Sequence, residues 1–241
     1  MKTETTRQGK PRSNATVNRY LSILSHLFSI ACNDWGWTTD NPIKRVSKLK
    51  EPSGRVRYLS ENERDRLLGA CRDSQSDSIY LIVLLALSTG MRRGEILGLT
   101  WGDINTDAGL ITIPDSKNGE VRSVPIVGEV SLLLAERAKI RRFDTWLIFP
   151  STLKREGEVK PLLLRASWEK VLAEAGIKDF HFHDLRHTAG SHLAMSGASE
   201  REIQEILGHR TTQMTKRYIH LIQEHTRGVI ERMTKAFNME S

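Results

Sequence analysis

Two apolar runs, GLITIP (109–114) and VRSVPI (121–126), flank the dipeptide Asn118-Gly119. Asn-Gly takes up the positive φ angles of a tight two-residue turn at little cost, so the spacing predicts a β-hairpin. The flanking sequence has helical periodicity. From Ser13 to about Trp35, Val17, Leu21, Leu24, Phe28 and Ala31 recur three and four apart, until Gly36 and Asn41-Pro42 break the pattern. Ser60 with Glu63, and Ser199 with Glu202, have capping-box spacing and open further helices, and Gly208 stands where a helix C-cap belongs. Helical pattern runs to about residue 98 and returns at 128–142, 162–175, 183–196, 200–207, 212–219 and 222–237. The fold class expected is α+β, mostly helical, with one small antiparallel sheet. Between the first helix and Ser60 lies a basic stretch without periodicity, RVSKLKEPSGRVR (45–57), which reads as a linker. It places a domain boundary between residues 47 and 57.

Charge narrows the partner. The 241 residues hold 36 Lys+Arg against 29 Asp+Glu, a net charge of +7, which favours a polyanion, nucleic acid before membrane. The longest apolar run, IYLIVLLAL (79–87), is about half of what a bilayer span needs. The N-terminal residues lack the apolar core of a signal peptide. Cys32 and Cys71 show no metal-binding spacing. A soluble cytoplasmic protein is expected.

The stretch FHFHDLRHTAG (180–190) carries His181, His183 and His187 around Arg186. On a helix, His183 and His187 share one face, as zinc-binding pairs do. The glutamate of the HExxH pattern is missing, however, and a guanidinium beside a cation site repels the metal, so no metal is expected. His181 and His187 read as rings satisfying local hydrogen bonds. His183 and Arg186, three apart at a helix start, suit a phosphate: a forked donor, a proton carrier and a favourable dipole. Further cations follow the same logic. Arg92 sits three residues before Glu95, which can hold its guanidinium. Lys117 lies at the hairpin tip, His209 just past a helix stop, and Tyr218 on the next helix.

In this order, TGMRRGEIL, KNGEVRSVPI, HDLRHT, LGH and TKRYIH resemble the tyrosine site-specific recombinases of the phage integrase family, over residues from about 58 to 220. The stretch TVNRYLSILSHLFSIACNDWGWTTDNP resembles the later part of that family's SAM-like core-binding domain. The resemblance implies a partial helical core-binding domain at 1–50, a linker at 51–57 and a catalytic domain at 58–241. It maps the family's active site onto Arg92, Lys117, His183, Arg186, His209 and Tyr218, leaving Tyr20, Tyr58 and Tyr80 as packing residues.

The implied chemistry is transesterification of DNA through a 3′-phosphotyrosyl link to Tyr218, without ATP, metal or any cofactor. Arg92, Arg186 and His209 would stabilise the transition state, Lys117 would protonate the leaving 5′-oxygen and His183 would take the tyrosine proton. The partners implied are double-stranded DNA, three further copies in a homotetramer on that DNA, and accessory DNA-bending proteins, with the protein nucleoid-associated. Arg19 and Arg122 are candidate DNA contacts, with a solvated surface charge an equal account of each. Val229, Ile230, Met233 and Phe237 on the last helix suit packing on a neighbour or on their own domain. Family members carry a complete core-binding domain, and often an arm-binding domain, where about 50 residues stand here. A truncated fragment that binds DNA without recombining it therefore stays open, as does a type IB topoisomerase.

Overall fold

A computed structural model describes residues 9, 11–52, 57–114, 121–155, 157–209 and 211–237. The chain forms two compact units, Met1–Arg55 and Val56–Ser241.

In the first unit, helix α1 (Asn14–Asn33) is capped by Ser13, whose hydroxyl accepts from the Thr16 N–H at 3.2 Å. A 3₁₀ turn (Pro42–Arg45) follows, opened by Asn41. The Asn41 amide donates back to the Ser25 carbonyl at 2.8 Å. Asn18 treats the backbone of Leu49 as a strand would, donating to its carbonyl at 2.8 Å and accepting from its N–H at 2.9 Å. Residues around Leu49, expected as linker, are therefore fastened to α1. Buried Asn18 carries this fastening, with Asn14 donating to the Lys50 carbonyl at 2.8 Å, and hydrophobic periodicity does not register either.

The second unit begins with α2 (Glu61–Arg72), whose Ser60–Glu63 capping box forms as expected. Helix α3 (Ile79–Thr89) is apolar around most of its circumference and is buried accordingly: Ile79, Ile82, Val83 and Leu85 have no exposed surface, and the stripe of Tyr80, Leu84 and Ser88 reaches solvent. It stops at Gly90, in the left-handed conformation at φ +64°, where a Cβ would stand 2.2 Å from the Leu207 side chain. Only glycine fits there. A short α4 (Arg93–Leu97) follows.

Strands β1 (Ile104–Asn105), β2 (Leu110–Pro114) and β3 (Val121–Pro125) form an antiparallel sheet in the order β1-β2-β3. The tip that joins β2 to β3, with Lys117 and the Asn118-Gly119 turn, lies outside the described residues. Ile111 faces Val124 and Ile113 faces Arg122, so the pleat turns Arg122 to the same side as the buried Val124.

After α5 (Glu129–Lys139), a second antiparallel hairpin appears, β4 (Pro150–Arg155) with β5 (Glu158–Pro161). The expected small antiparallel sheet is present as β1-β2-β3, and this two-stranded hairpin stands beside it without having been anticipated. Lys154, Arg155, Glu158 and Lys160 give these strands no apolar alternation.

Helix α6 (Arg165–Glu174) starts three residues later than its pattern, and its Trp168 meets Phe182 edge-on at 5.2 Å. That contact anchors the start of α7 (Phe182–Met195), which packs along α3 with Leu185, Thr188 and Ser191 fully buried. Helix α8 (Glu200–Leu207) has its Ser199–Glu202 box and closes at Gly208. The helix expected at 212–219 is instead a four-residue α9 (Thr212–Thr215) and a 3₁₀ turn (Lys216–Tyr218). At three residues per turn, Thr215 and Tyr218 point the same way, and both are fully buried. The C-terminal α10 (Ile219–Ala236) leaves Val229, Ile230 and Met233, with Phe237 beyond it, exposed. Among the described residues, no helix is long and apolar enough to cross a membrane.

Candidate active site

The site is built where four helix ends meet: the end of α3, the start of α4, the start of α7 and the end of α8. At the start of α4, the Glu95 carboxylate turns back over its own helix. It accepts from the Arg92 backbone N–H at 2.8 Å and from the Arg92 guanidinium at 2.6 Å. From the sheet, Arg122 reaches the same carboxylate at 2.7 Å. Burial pushes the Glu95 pKa up, but hydrogen bonds from Arg122 and from the Arg92 backbone and side chain outweigh it, and the pKa is lowered. One carboxylate thus holds two cations at fixed spacing. The Arg92 side chain remains 43% exposed while that of Arg122 is only 17% exposed, so Arg92 presents the accessible guanidinium. These arginines, Gly208 and His209 line one cleft with residues of β3.

Helix α7 contributes Arg186, which is buried. Its Nη1 donates to the Gly90 carbonyl at 2.7 Å and its Nη2 donates to the Leu207 carbonyl. Both acceptors lie at helix C-termini, where carbonyls lack partners within the helix and the dipole favours a cation. Lost hydration, then the nearby Arg92 and Arg122, lower the Arg186 pKa to about 10, which leaves it charged near neutrality. His183, at the exposed start of the same helix, has its pKa lowered by lost hydration and then by Arg186. Asp184 accepts from the His181 backbone N–H at 2.7 Å and so caps α7.

Tyr218 is wholly buried. The His209 ring lies parallel to its ring at 6.4 Å, with His209 Nδ1 held 2.9 Å from the Thr215 hydroxyl. Beneath the phenol is Gly190 of α7, where a Cβ would stand 2.5 Å from the Tyr218 Cζ. The hydroxyl lies 3.0 Å from His187 Nδ1, and the other ring nitrogen of His187 lies 3.3 Å from the Arg217 guanidinium. Burial raises the Tyr218 pKa, against Arg217 and Arg186, which lower it. Burial and neighbouring arginines lower His209 to about 3, and burial with Arg217 and His183 lowers His187 to about 4. Both rings are neutral near pH 7.

Five expected residues, Arg92, His183, Arg186, His209 and Tyr218, therefore gather around the Gly90–Gly208 corner. Lys117 lies outside the described residues. Arg19 is exposed on α1 in the first unit, and Arg122 is drawn inward onto Glu95. His187 was expected only to satisfy a local hydrogen bond; its partner is the hydroxyl of Tyr218. His187, Arg217 and Gly190 join the site without being anticipated. The available signal was the four-residue spacing of His187 from His183, which places both rings on one helix face, 5.0 Å apart. Among the described residues, no group of three or more His, Cys, Asp or Glu is placed to hold a metal.

A small antiparallel sheet set among helices, with a buried tyrosine beside clustered arginines and histidines, defines the catalytic-domain class of tyrosine recombinases. The fold matches the catalytic domain of bacteriophage HP1 integrase with a TM-score of 0.56 at 28% identity, over 73% of this chain and 95% of that one. It also matches the Tn1549 transposon integrase in complex with a circular intermediate DNA, with a TM-score of 0.71 at 20% identity, over 86% of this chain and 75% of that one. The phage integrase family profile matches residues 57–225. A shufflon-specific DNA recombinase of Escherichia coli is 38% identical over 89% of this chain and 53% of its own length. The chain belongs to the phage integrase family. It spans about half the length of the curated relatives it matches.

Proposed function

We propose that this chain is the strand-transfer part of a site-specific DNA recombinase. The observation that carries the reading is the convergence of Arg92, Arg186, His209 and Tyr218 on one corner, with the cations set by Glu95 and by helix ends. In the reaction, the Tyr218 oxygen attacks a DNA phosphorus, and the bond to the leaving 5′-oxygen breaks as the 3′-phosphotyrosyl bond forms. The bond energy is held in the covalent intermediate, so religation needs no ATP. Arg92 and Arg186 offset the charge that grows on the non-bridging oxygens, and His209 donates a hydrogen bond to them. His183 takes the phenol proton, and Lys117 protonates the 5′-oxygen. Each of these assisting groups contributes about 10²–10⁴ in rate.

The buried phenol adds a condition. With Tyr218 wholly enclosed, its oxygen meets a phosphate only after the 3₁₀ turn at Lys216–Tyr218 shifts, and DNA binding supplies the energy for that shift. The DNA complexes of related folds, and the net positive charge, support duplex DNA as the partner. The first unit acts as part of a core-binding domain, with Arg19 and Arg122 contributing to the field that draws phosphates in. The exposed Val229, Ile230, Met233 and Phe237 pack on a neighbouring copy in a tetramer on DNA, with DNA-bending proteins assisting assembly.

The test uses a nicked suicide duplex carrying the attachment sequences that flank the source gene, incubated in EDTA with the wild type or Tyr218→Phe. A covalent protein–DNA band on a denaturing gel that vanishes in the variant is the expected result. Bound DNA with no covalent band would instead mean a protein that binds DNA without cutting it. A parallel incubation with supercoiled plasmid that shows relaxation without exchange of partners would mean a topoisomerase.

A further inference from the structure

His187 is a buried titratable group that touches the reacting oxygen and has no role in the mechanism above. Its contacts fix where its proton sits. An arginine can only donate hydrogen bonds. The 3.3 Å contact from the Arg217 Nη1 therefore needs a lone pair on His187 Nε2. A neutral imidazole has one N–H, so the proton lies on Nδ1, and Nδ1 is the atom 3.0 Å from the Tyr218 hydroxyl. The alternatives fail on the same two contacts. With the proton on Nε2, two donors would face each other across 3.3 Å. A doubly protonated ring has the same clash and is also buried beside a guanidinium.

We propose that His187 is a catalytic hydrogen-bond donor to the Tyr218 oxygen, and that Arg217 is the positioning residue that fixes its tautomer. The inference rests on Tyr218 being the nucleophile. In this arrangement the phenol proton points away from His187. When Tyr218 ionises, that proton leaves to His183, as in the mechanism above, and His187 keeps its own. The Nδ1–H then bonds the phenolate, strengthened because the acceptor is charged and because Arg217 polarises the ring from the far side. A phenol in an apolar niche is hard to ionise, and this donor offsets part of that cost. Burial, and then Arg217, His183 and Arg186 against Asp184, lower the pKa of the ring and keep it neutral near pH 7. Parallel stacking of His209 on the phenol leaves the hydroxyl to be served from the α7 side, where His187 stands.

Two measurements test this. The first is imidazole ¹⁵N NMR of the intact protein at pH 7, with His187→Gln assigning the resonance. The expected result is the Nδ1–H tautomer in the wild type and a shift toward Nε2–H in Arg217→Met, with Arg217→Lys restoring the wild-type state. An Nε2–H tautomer in the wild type overturns the proposal. The second compares His187→Asn, whose amide offers a donor near the Nδ1 position, with His187→Asp, which only accepts. On the suicide duplex, cleavage by the Asn variant should stay within about tenfold of wild type, and the Asp variant should fall about 10²-fold or more, in the range of an assisting group. Equal rates, or the reverse order, overturn the proposal. The tautomer is read without DNA. A wild type that shows Nδ1–H yet forms no covalent species therefore sinks the strand-transfer reading, whereas a cleaving enzyme with Nε2–H sinks this one alone.

Discussion

Arg186 donates to the carbonyl of Gly90 at 2.7 Å, so the residue that ends α3 is held by a cation from the middle of α7. The same guanidinium also reaches Leu207 at the end of α8, and its planar fork spans both acceptors. A lysine offers donors around one point and cannot span them. Arg186→Lys should lose one charged hydrogen bond, about 2 kcal/mol, which lowers Tm by about 4–8 °C in a domain of this size. An unchanged Tm in differential scanning calorimetry would mean that the fork braces nothing.

Gly190 is the floor under Tyr218, and it makes an ordinary helix rule reverse. In a helix interior, Gly→Ala usually stabilises by about 1 kcal/mol. Here the added Cβ would sit 2.5 Å from the phenol ring, so Gly190→Ala should push Tyr218 out of its niche. Reaction with tetranitromethane, followed by peptide mapping, should show Tyr218 modified faster in the variant than in the wild type. A protected Tyr218 in a folded Gly190→Ala protein would mean that the ring does not occupy this niche in solution.

How much of this was readable beforehand depends on which physical signal each residue leaves in one dimension. Helices with caps were legible, because Ser60–Glu63 and Ser199–Glu202 satisfy backbone donors a fixed three residues away. The polar hairpin β4–β5 was not, because strands without apolar alternation carry no period. Arg122 was half legible. It shares parity with Val124 in VRSVPI, which puts it on the inward side of the pleat, but an arginine in a hairpin of a basic chain reads first as a phosphate contact. The pairing of Arg92 with Glu95 followed from a three-residue spacing. The partnership of His187 with Tyr218 joins residues 31 apart through the packing of α7 against the 3₁₀ turn, and no local pattern encodes it.

Acid should destabilise the second unit through two histidines. His187 and His209 are held to about 4 and about 3 in the folded state, and unfolded histidine titrates near 6.5. The folded-state pKa is depressed, so their contribution is intact above about pH 6.5 and is lost as pH falls toward the folded values. At pH 5 each ring takes up about one proton on unfolding. Urea titrations across pH 4.5–7.5 should show a shallower pH slope around pH 5 in His209→Asn than in the wild type, by about one proton. Equal slopes would mean that His209 is already exposed or charged in the native protein.

Glu95 is the residue whose change should separate DNA binding from DNA cutting. It carries a charge opposite to that of the arginines in the cleft, so its loss makes the cleft more positive. It also fixes Arg92 and Arg122 from a single carboxylate, and that arrangement is lost with it. Glu95→Gln keeps the shape and one acceptor, so the fold should survive. Affinity for a duplex should hold or rise, because one negative charge has left the cleft, and it should remain steeply salt-dependent. Strand cleavage should fall, by up to about 10²-fold, because Arg92 no longer waits at the position where phosphate charge develops. Filter binding and single-turnover cleavage on the same duplex measure the two effects separately. Parallel losses in both would show that Glu95 serves folding alone, whereas tighter binding with slower cleavage would show that it sets the arginines for the reaction.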